Sequence, residues 1–334
     1  MELLLTGAAG FAGSHALRHV LANTDWTVTC PVSYDHKGKL FRLESAMRWH
    51  DPNRVVVVPC DLAMPFPTSV LRQLGTPDYI VNYASDSHVD RSIALPALFI
   101  RNNVELMLNM LDFARCQARD SLRAFVQIST DEVYGACQGD PHVEWSPIVP
   151  SNPYAASKAS QEAIATAYWR TYALPLLIVN CMNMFGEFQD EEKFVQKVIS
   201  RVNAGQAVTI HASPSGQPGS RCWIHARNLA DGILFLLSRV SDGVIPSYRA
   251  MTGFEPKPAR YNVVGEEIDN LTMAKMIARH LGKELEYKLT DFHNERPGHD
   301  IRYALDGRKM AGLGWTPPVS LSESLAKLID WKTA

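Results

Sequence analysis

Apolar runs recur along the first half of the chain, each closed by a glycine-rich or polar break: Glu2 to Thr6, Trp26 to Val32, Val55 to Pro59, Tyr79 to Tyr83, Ala124 to Ile128 and Leu176 to Asn180. Runs of this length predict buried strands. Helical spacing separates them, from Ser14 to Ala22 onwards, and an alanine-rich helix opens at Asn152 Pro153 Tyr154, where Asn152 suits the N-cap and Pro153 the first turn. Strands alternating with helices predict an α/β fold built on a parallel, doubly wound sheet.

The texture changes after Asn180. Glu187 to Gly219 is mixed and rich in Pro and Gly, and order returns at Arg221 to His225 before a helical stretch from Asn228 to Ser238. Val240 to Arg260 holds Pro246, Pro256 and Pro258 and reads as a long loop. The pattern predicts a dinucleotide-type domain over 1–180, with 222–264 returning to it, and a smaller substrate-binding domain from 181–221 and 265–334.

A chain of 334 residues buries a sizeable core. Its 33 Lys and Arg against 35 Asp and Glu leave no basic surface, so no nucleic-acid partner is expected. The six cysteines show no CxxC pair, which predicts neither a metal centre nor a disulfide framework and fits a reducing compartment. No secretory segment or long apolar span is evident, so the expectation is a cytoplasmic protein with no membrane contact.

Gly7, Gly10 and Gly13 stand between the first strand and its helix and enclose Phe11 and Ala12. There they allow a tight turn and close approach of a pyrophosphate to a helix N-terminus, which makes the fold Rossmann-like. The second strand ends without the acidic residue that would hold the adenosine ribose. Asp35 is one substitute, and the Ser33, His36, Lys37 and Lys39 group, able to accept a 2′-phosphate, is the other; a merely solvated basic loop fits equally. Asp61 and Leu62 follow the third strand and Ala84 the fourth, all at cofactor-facing ends, with Ser87 and His88 just beyond. Ser129 Thr130 Asp131 Glu132 Val133 Tyr134 Gly135 then places a hydroxyl and two adjacent carboxylates beyond a strand's carboxyl end. Tyr154 and Lys158 share a helix face, and a neighbouring ammonium favours a phenolate base.

On these residues the chain resembles the extended short-chain dehydrogenase/reductase superfamily, and within it the nucleotide-sugar 4,6-dehydratases, most closely the dTDP-glucose 4,6-dehydratases. Carrying the likeness are Thr6 to His15, Ser87 to Ile93, Ser129 to Gly135, Pro153 to Ser160 and Arg296 to Asp306. The resemblance implies a bound NAD, or NADP, and a nucleotide-sugar substrate. It implies that Tyr154 takes the C4 hydroxyl proton as hydride leaves C4, with Lys158 lowering the tyrosine pKa and holding the cofactor ribose. Thr130 would bind near the C4 oxygen, Glu132 would take the C5 proton and Asp131 would help the C6 hydroxyl leave before hydride returns to C6. By the same carry-over Asn183, Arg221, Arg296 and His299 bind the sugar nucleotide. A homodimer through helices near Leu95 to Arg115 and Tyr154 to Tyr172 is also implied, although their apolar residues equally suit packing on the sheet.

The chain departs from the family pattern at Met184 Phe185 Gly186, at Cys222 within Arg221 Cys222 Trp223, and in a longer loop over Ala212 to Ser220. A 4-epimerase or decarboxylase of the same superfamily is the nearest alternative, and neither needs the Asp131 and Glu132 pair. A dehydratase of different regiochemistry and a non-catalytic dinucleotide-binding protein are the others.

Overall fold

The computed structural model describes residues 1–35, 37–245, 257–291 and 300–334. His36, Pro246, Pro256, Arg296 and His299 lie outside them. Seven parallel strands form the main sheet in the order β10-β6-β5-β4-β1-β2-β3. These are β1 (Glu2–Thr6), β2 (Thr27–Val32), β3 (Val55–Pro59), β4 (Tyr79–Asn82), β5 (Ala124–Thr130), β6 (Leu176–Cys181) and β10 (Ala259–Asn262). The apolar runs explain the layering. Leu3 and Leu5 face one core with Val81, Val126 and Val179, while Leu4 faces the other with Ile80, Phe125 and Leu176. Helices α1 (Phe11–Asn23), α2 (Leu40–Met47) and α8 (Ala226–Ser238) cover the first face. On the second lie α3 (Thr68–Leu74), α5 (Pro96–Cys116) and α6 (Pro153–Tyr172).

Among the boundaries that differ from the sequence reading, those of α1 and β5 bear on the site. Helix α1 begins at Phe11 rather than Ser14, because the glycine turn closes within its first residues. Strand β5 continues through Ser129 and Thr130, which pair in register with Asn180 and Cys181. Asp131–Tyr134 is then a single 3-10 turn at the strand's end.

A second lobe surrounds its own core, with Phe185, Val198, Ile210, Trp223, Met273 and Leu325 among its members. It contains β7 (Met184–Phe185), β8 (Val208–Ala212), β9 (Ser220–His225), β11 (Glu266–Asp269), β12 (Tyr287–Asp291) and β13 (Arg302–Tyr303), with helices α7 (Phe194–Asn203), α9 (Asn270–His280) and Leu321–Thr333. Strand β9 runs across the boundary expected at 221/222 and pairs with β7, β11 and β13 in this lobe. The chain rejoins the main sheet only afterwards, through α8 against α1 and β10 beside β6. The strand order switches sides between β1 and β4, and the crevice beyond those strand ends is where such sheets bind ligands. Among the described residues no helix is long and apolar enough to cross a membrane.

Candidate active site

A cavity of about 560 Å³ occupies this crevice. Its floor is the glycine turn. Gly7 adopts φ +69°, and a Cβ on Gly13 would come within 2.1 Å of the Gly7 carbonyl oxygen, so only glycine permits this approach of loop to helix. Thr6 ties the turn to the next strand end: its hydroxyl donates to Asn82 Oδ1 at 2.5 Å and accepts from Ala84 N at 3.0 Å.

Gly7, Gly10, Phe11, Ala12, Gly13, Ser33, Lys37, Asp61, Leu62, Ala84, Ser87, His88, Thr130, Asp131, Glu132, Tyr154, Lys158 and Asn183 all line this cavity, although their numbers span most of the first two hundred. Arg221 does not. Its Nη1 donates to the carbonyls of Ser220 at 2.7 Å and Ile301 at 2.6 Å, and its Nη2 to that of Asp300 at 2.6 Å. The guanidinium expected to grip a phosphate is thus committed to backbone. It acts on the site through its charge, which favours the ionised forms of Asp131 and Glu132.

The two carboxylates sit in unlike surroundings. Asp131 is buried; Thr130 Oγ1 donates to its Oδ1 at 3.1 Å and its Oδ2 has no partner. Burial, then the charge of Glu132, pushes this carboxyl from 3.8 up to about 7. Glu132 is raised too, chiefly by burial, but a hydrogen bond from Asn152, Arg221 and Lys193 pull the other way. One carboxyl therefore keeps its proton near neutrality more readily than its neighbour, the division that acid and base roles require.

Tyr154 departs from expectation. Burial, followed by the negative charge of Glu132, lifts its phenol well above the ordinary value, and a hydrogen bond with Thr130 opposes this. The ammonium of Lys158 donates to the Ile128 carbonyl at 2.8 Å and to Gln161 Oε1 at 2.6 Å. Burial brings Lys158 itself down to about 8.

Lys193 went unrecognised in the sequence. It lines the cavity, burial lowers its pKa, and no hydrogen bond or ion pair among the described residues engages its ammonium. It lies in the aperiodic stretch after Asn180, so only the fold brings it opposite Glu132. At the mouth, Lys37 pairs with Asp190 at 3.2 Å and Glu192 at 2.7 Å, while His88 Nε2 lies 3.4 Å from the same Glu192 oxygen. Lys37 is therefore already neutralised, and Ser33 donates to Asp35 Oδ2 at 3.1 Å, leaving a carboxylate on the wall where a 2′-phosphate was considered.

Beneath the active-site strand runs a buried ion pair. Glu162 of α6 accepts from Arg260 of β10 at 2.7 Å, from Asn180 at 2.9 Å and from the Ser129 hydroxyl, while Arg260 also donates to Tyr134 Oη at 3.0 Å. The last residue of β5 before Thr130 is thereby fixed from two neighbouring elements. Outside the cavity His15, Glu187 and His225 have the residue types of a metal centre. Their hydrogen bonds point otherwise. Arg227 N donates to His225 Nδ1 at 3.1 Å, placing the ring proton on Nε2, which meets Glu187 Oε2 at 3.1 Å; His15 Nε2 faces the Glu187 carbonyl at 3.0 Å. Neither Nε2 keeps a lone pair for a cation, and the trio clamps α1 to β7 and β9.

The chain matches the family model described as GDP-mannose 4,6 dehydratase over residues 4–328. It is 32% identical to a dTDP-glucose 4,6-dehydratase of Shigella flexneri, covering 100% of this chain and 93% of the relative. Among solved structures, DesIV, a dTDP-glucose 4,6-dehydratase from Streptomyces venezuelae with NAD and TYD bound, superposes with a TM-score of 0.83 at 31% identity, over 100% of this chain and 97% of that one. A Thermus thermophilus UDP-glucose 4-epimerase complexed with NAD gives 0.79 at 26% identity, over 99% and 98% of the two chains.

Proposed function

Since the chain belongs to the GDP-mannose 4,6-dehydratase family of the extended short-chain dehydrogenases, we propose that it converts a nucleoside-diphosphate hexose, dTDP-glucose first among them, to the 4-keto-6-deoxy sugar. Dehydratases and epimerases share this fold, so architecture does not separate the two activities. The observation that carries the dehydratase reading is the Asp131 and Glu132 pair, buried in one cavity with Tyr154 and Lys158 and divided in proton affinity. Epimerisation at C4 has no step for two such carboxyls.

The residues fit NAD. The glycine turn is shaped for a pyrophosphate, and Asp35 at the wall suits ribose hydroxyls and would repel a 2′-phosphate. When bound, the nicotinamide supplies a reversible hydride acceptor next to C4. Raised as its pKa is in the cavity, Tyr154 can act only in its phenolate form, which would take the C4 hydroxyl proton, held in line by Thr130; the resulting ketone acidifies C5, from which Glu132 removes the proton. Asp131, whose carboxyl is pushed up to about 7, delivers its proton to the departing C6 hydroxyl, and C6 then takes back the hydride as Glu132 returns its proton to C5. Lys193 provides the free positive charge for the substrate diphosphate. Asn183, Ser87 and His88 border the sugar, and Arg296 and His299 stay with the nucleotide end by family resemblance.

The working form is a homodimer, supported by exposed Ile93, Leu95, Leu98 and Ile100 on α4 (Val89–Ala94) and the start of α5. Six unpaired cysteines suit a reducing cytoplasm. Mass spectrometry after incubation with dTDP-glucose, UDP-glucose and UDP-N-acetylglucosamine tests the activity: loss of one water from one of them is expected. An unchanged mass with a new stereoisomer, or no reaction with any, overturns it.

A further inference from the structure

Asn152 does two things with one amide. Its Oδ1 accepts from Ala155 N at 2.9 Å and caps α6, the helix that carries Tyr154 and Lys158, while its Nδ2 donates to Glu132 Oε2 at 3.1 Å. The cap fixes which end of the amide faces which way: the oxygen must meet the helix N–H, so the N–H₂ must meet the carboxylate. Pro153 follows at the first helical position and holds the entry angle. Asn152 is 6% exposed, so the geometry is set by packing as well as bonding.

We propose that Asn152 is a positioning residue that makes Glu132, and not Asp131, the base: it registers the turn bearing the carboxylates against the helix bearing the tyrosine and keeps Glu132 ionised. Among the described residues Asn152 is the one side chain that donates a hydrogen bond to the Glu132 carboxylate. Asp131 has no counterpart, since its Oδ2 is unpartnered. The other charged or titratable groups facing Glu132 are Asp131, Tyr154 of α6, Lys193 ahead of α7, Arg221 of β9, and Asp300 and Tyr303 at β13. Arg221 favours the charged form of both carboxyls alike. Of the two carboxyls, Glu132 is the one that receives the Asn152 amide.

The inference rests on the dehydratase reading, and wild-type turnover is its control: failure of wild type to release water defeats that reading, whatever the variants do. Asn152→Ser and Asn152→Asp both retain a capping oxygen. Serine is too short to reach Glu132, and aspartate replaces the donor by an acceptor. Melting temperatures of both holoenzymes should stay within a few degrees of wild type. The acid limb of kcat/KM should move up by about one pH unit in the serine variant, a roughly tenfold loss below the limb with near parity above it, and further in the aspartate variant. Solvent deuterium uptake at C5 should slow in step at low pH. Folded variants whose limb stays in place, or whose loss is equal at every pH, overturn the proposal.

Discussion

Replacing Asp131 by asparagine should make the folded chain more stable and the enzyme nearly inactive. The carboxyl has no partner for Oδ2 and is pushed from 3.8 to about 7, first by burial and then by Glu132. Between those values the native chain holds a proton that the unfolded chain has released. Stability therefore falls as pH rises through that window, because the native state binds more protons. At about 1.36 kcal/mol per unit, a rise of about three units removes on the order of 4 kcal/mol by pH 7, an upper limit once local relaxation is allowed. Asp131→Asn keeps the acceptor for Thr130 and deletes the charge. Urea unfolding of the holoenzyme at pH 5, 6, 7 and 8 should show a declining stability for wild type and a flatter line for the variant, which gains most at pH 8. Turnover should drop roughly 10²-fold or more, since an amide delivers no proton to the departing hydroxyl. A variant with the wild-type slope, or one less stable than wild type at pH 8, would refute the buried neutral acid.

Lys193→Met should weaken dTDP binding about tenfold or more by calorimetry and raise KM with a smaller change in kcat, because it removes the cavity's unpaired ammonium; unchanged affinity would remove Lys193 from the phosphate site. Glu162→Gln should cost about 3–5 kcal/mol in denaturant unfolding by leaving the Arg260 charge buried and unpaired, with Arg260→Met milder. Equal, negligible costs for both would show that the pair carries little.

Much of this was legible in the chain because it is local. A buried strand announces itself as an apolar run, and Leu3, Leu4 and Leu5 had to be covered on both faces. Gly7 and Gly13 were legible because a tight turn between strand and helix admits few other residues. Asn152 was legible only as a cap; its second bond, to a residue 20 positions earlier, is a product of tertiary structure. Lys193 and the backbone contacts of Arg221 were hidden for the same reason. Spacing carries no sign of which carbonyls a guanidinium will meet, and Ser220, Asp300 and Ile301 meet it only after β13 lies beside β9. The acceptors that hold Lys158, Ile128 and Gln161, were hidden as well, because proximity on a helix face says nothing about which groups compete for an ammonium.

The pair between Glu162 and Arg260 also sets an order of assembly. Strand β5 is complete at Thr130, and α6, with Glu162, follows at once, yet the cation that neutralises Glu162 arrives 98 residues later on β10. During synthesis the sheet up to β6 and the helix bearing Tyr154 emerge first, with an acidic side chain still in want of its counterion. Such a distant closure is slow relative to local contacts. The ion pair beneath the reacting strand can therefore close only after the second lobe's β9, and then β10 itself, have left the ribosome.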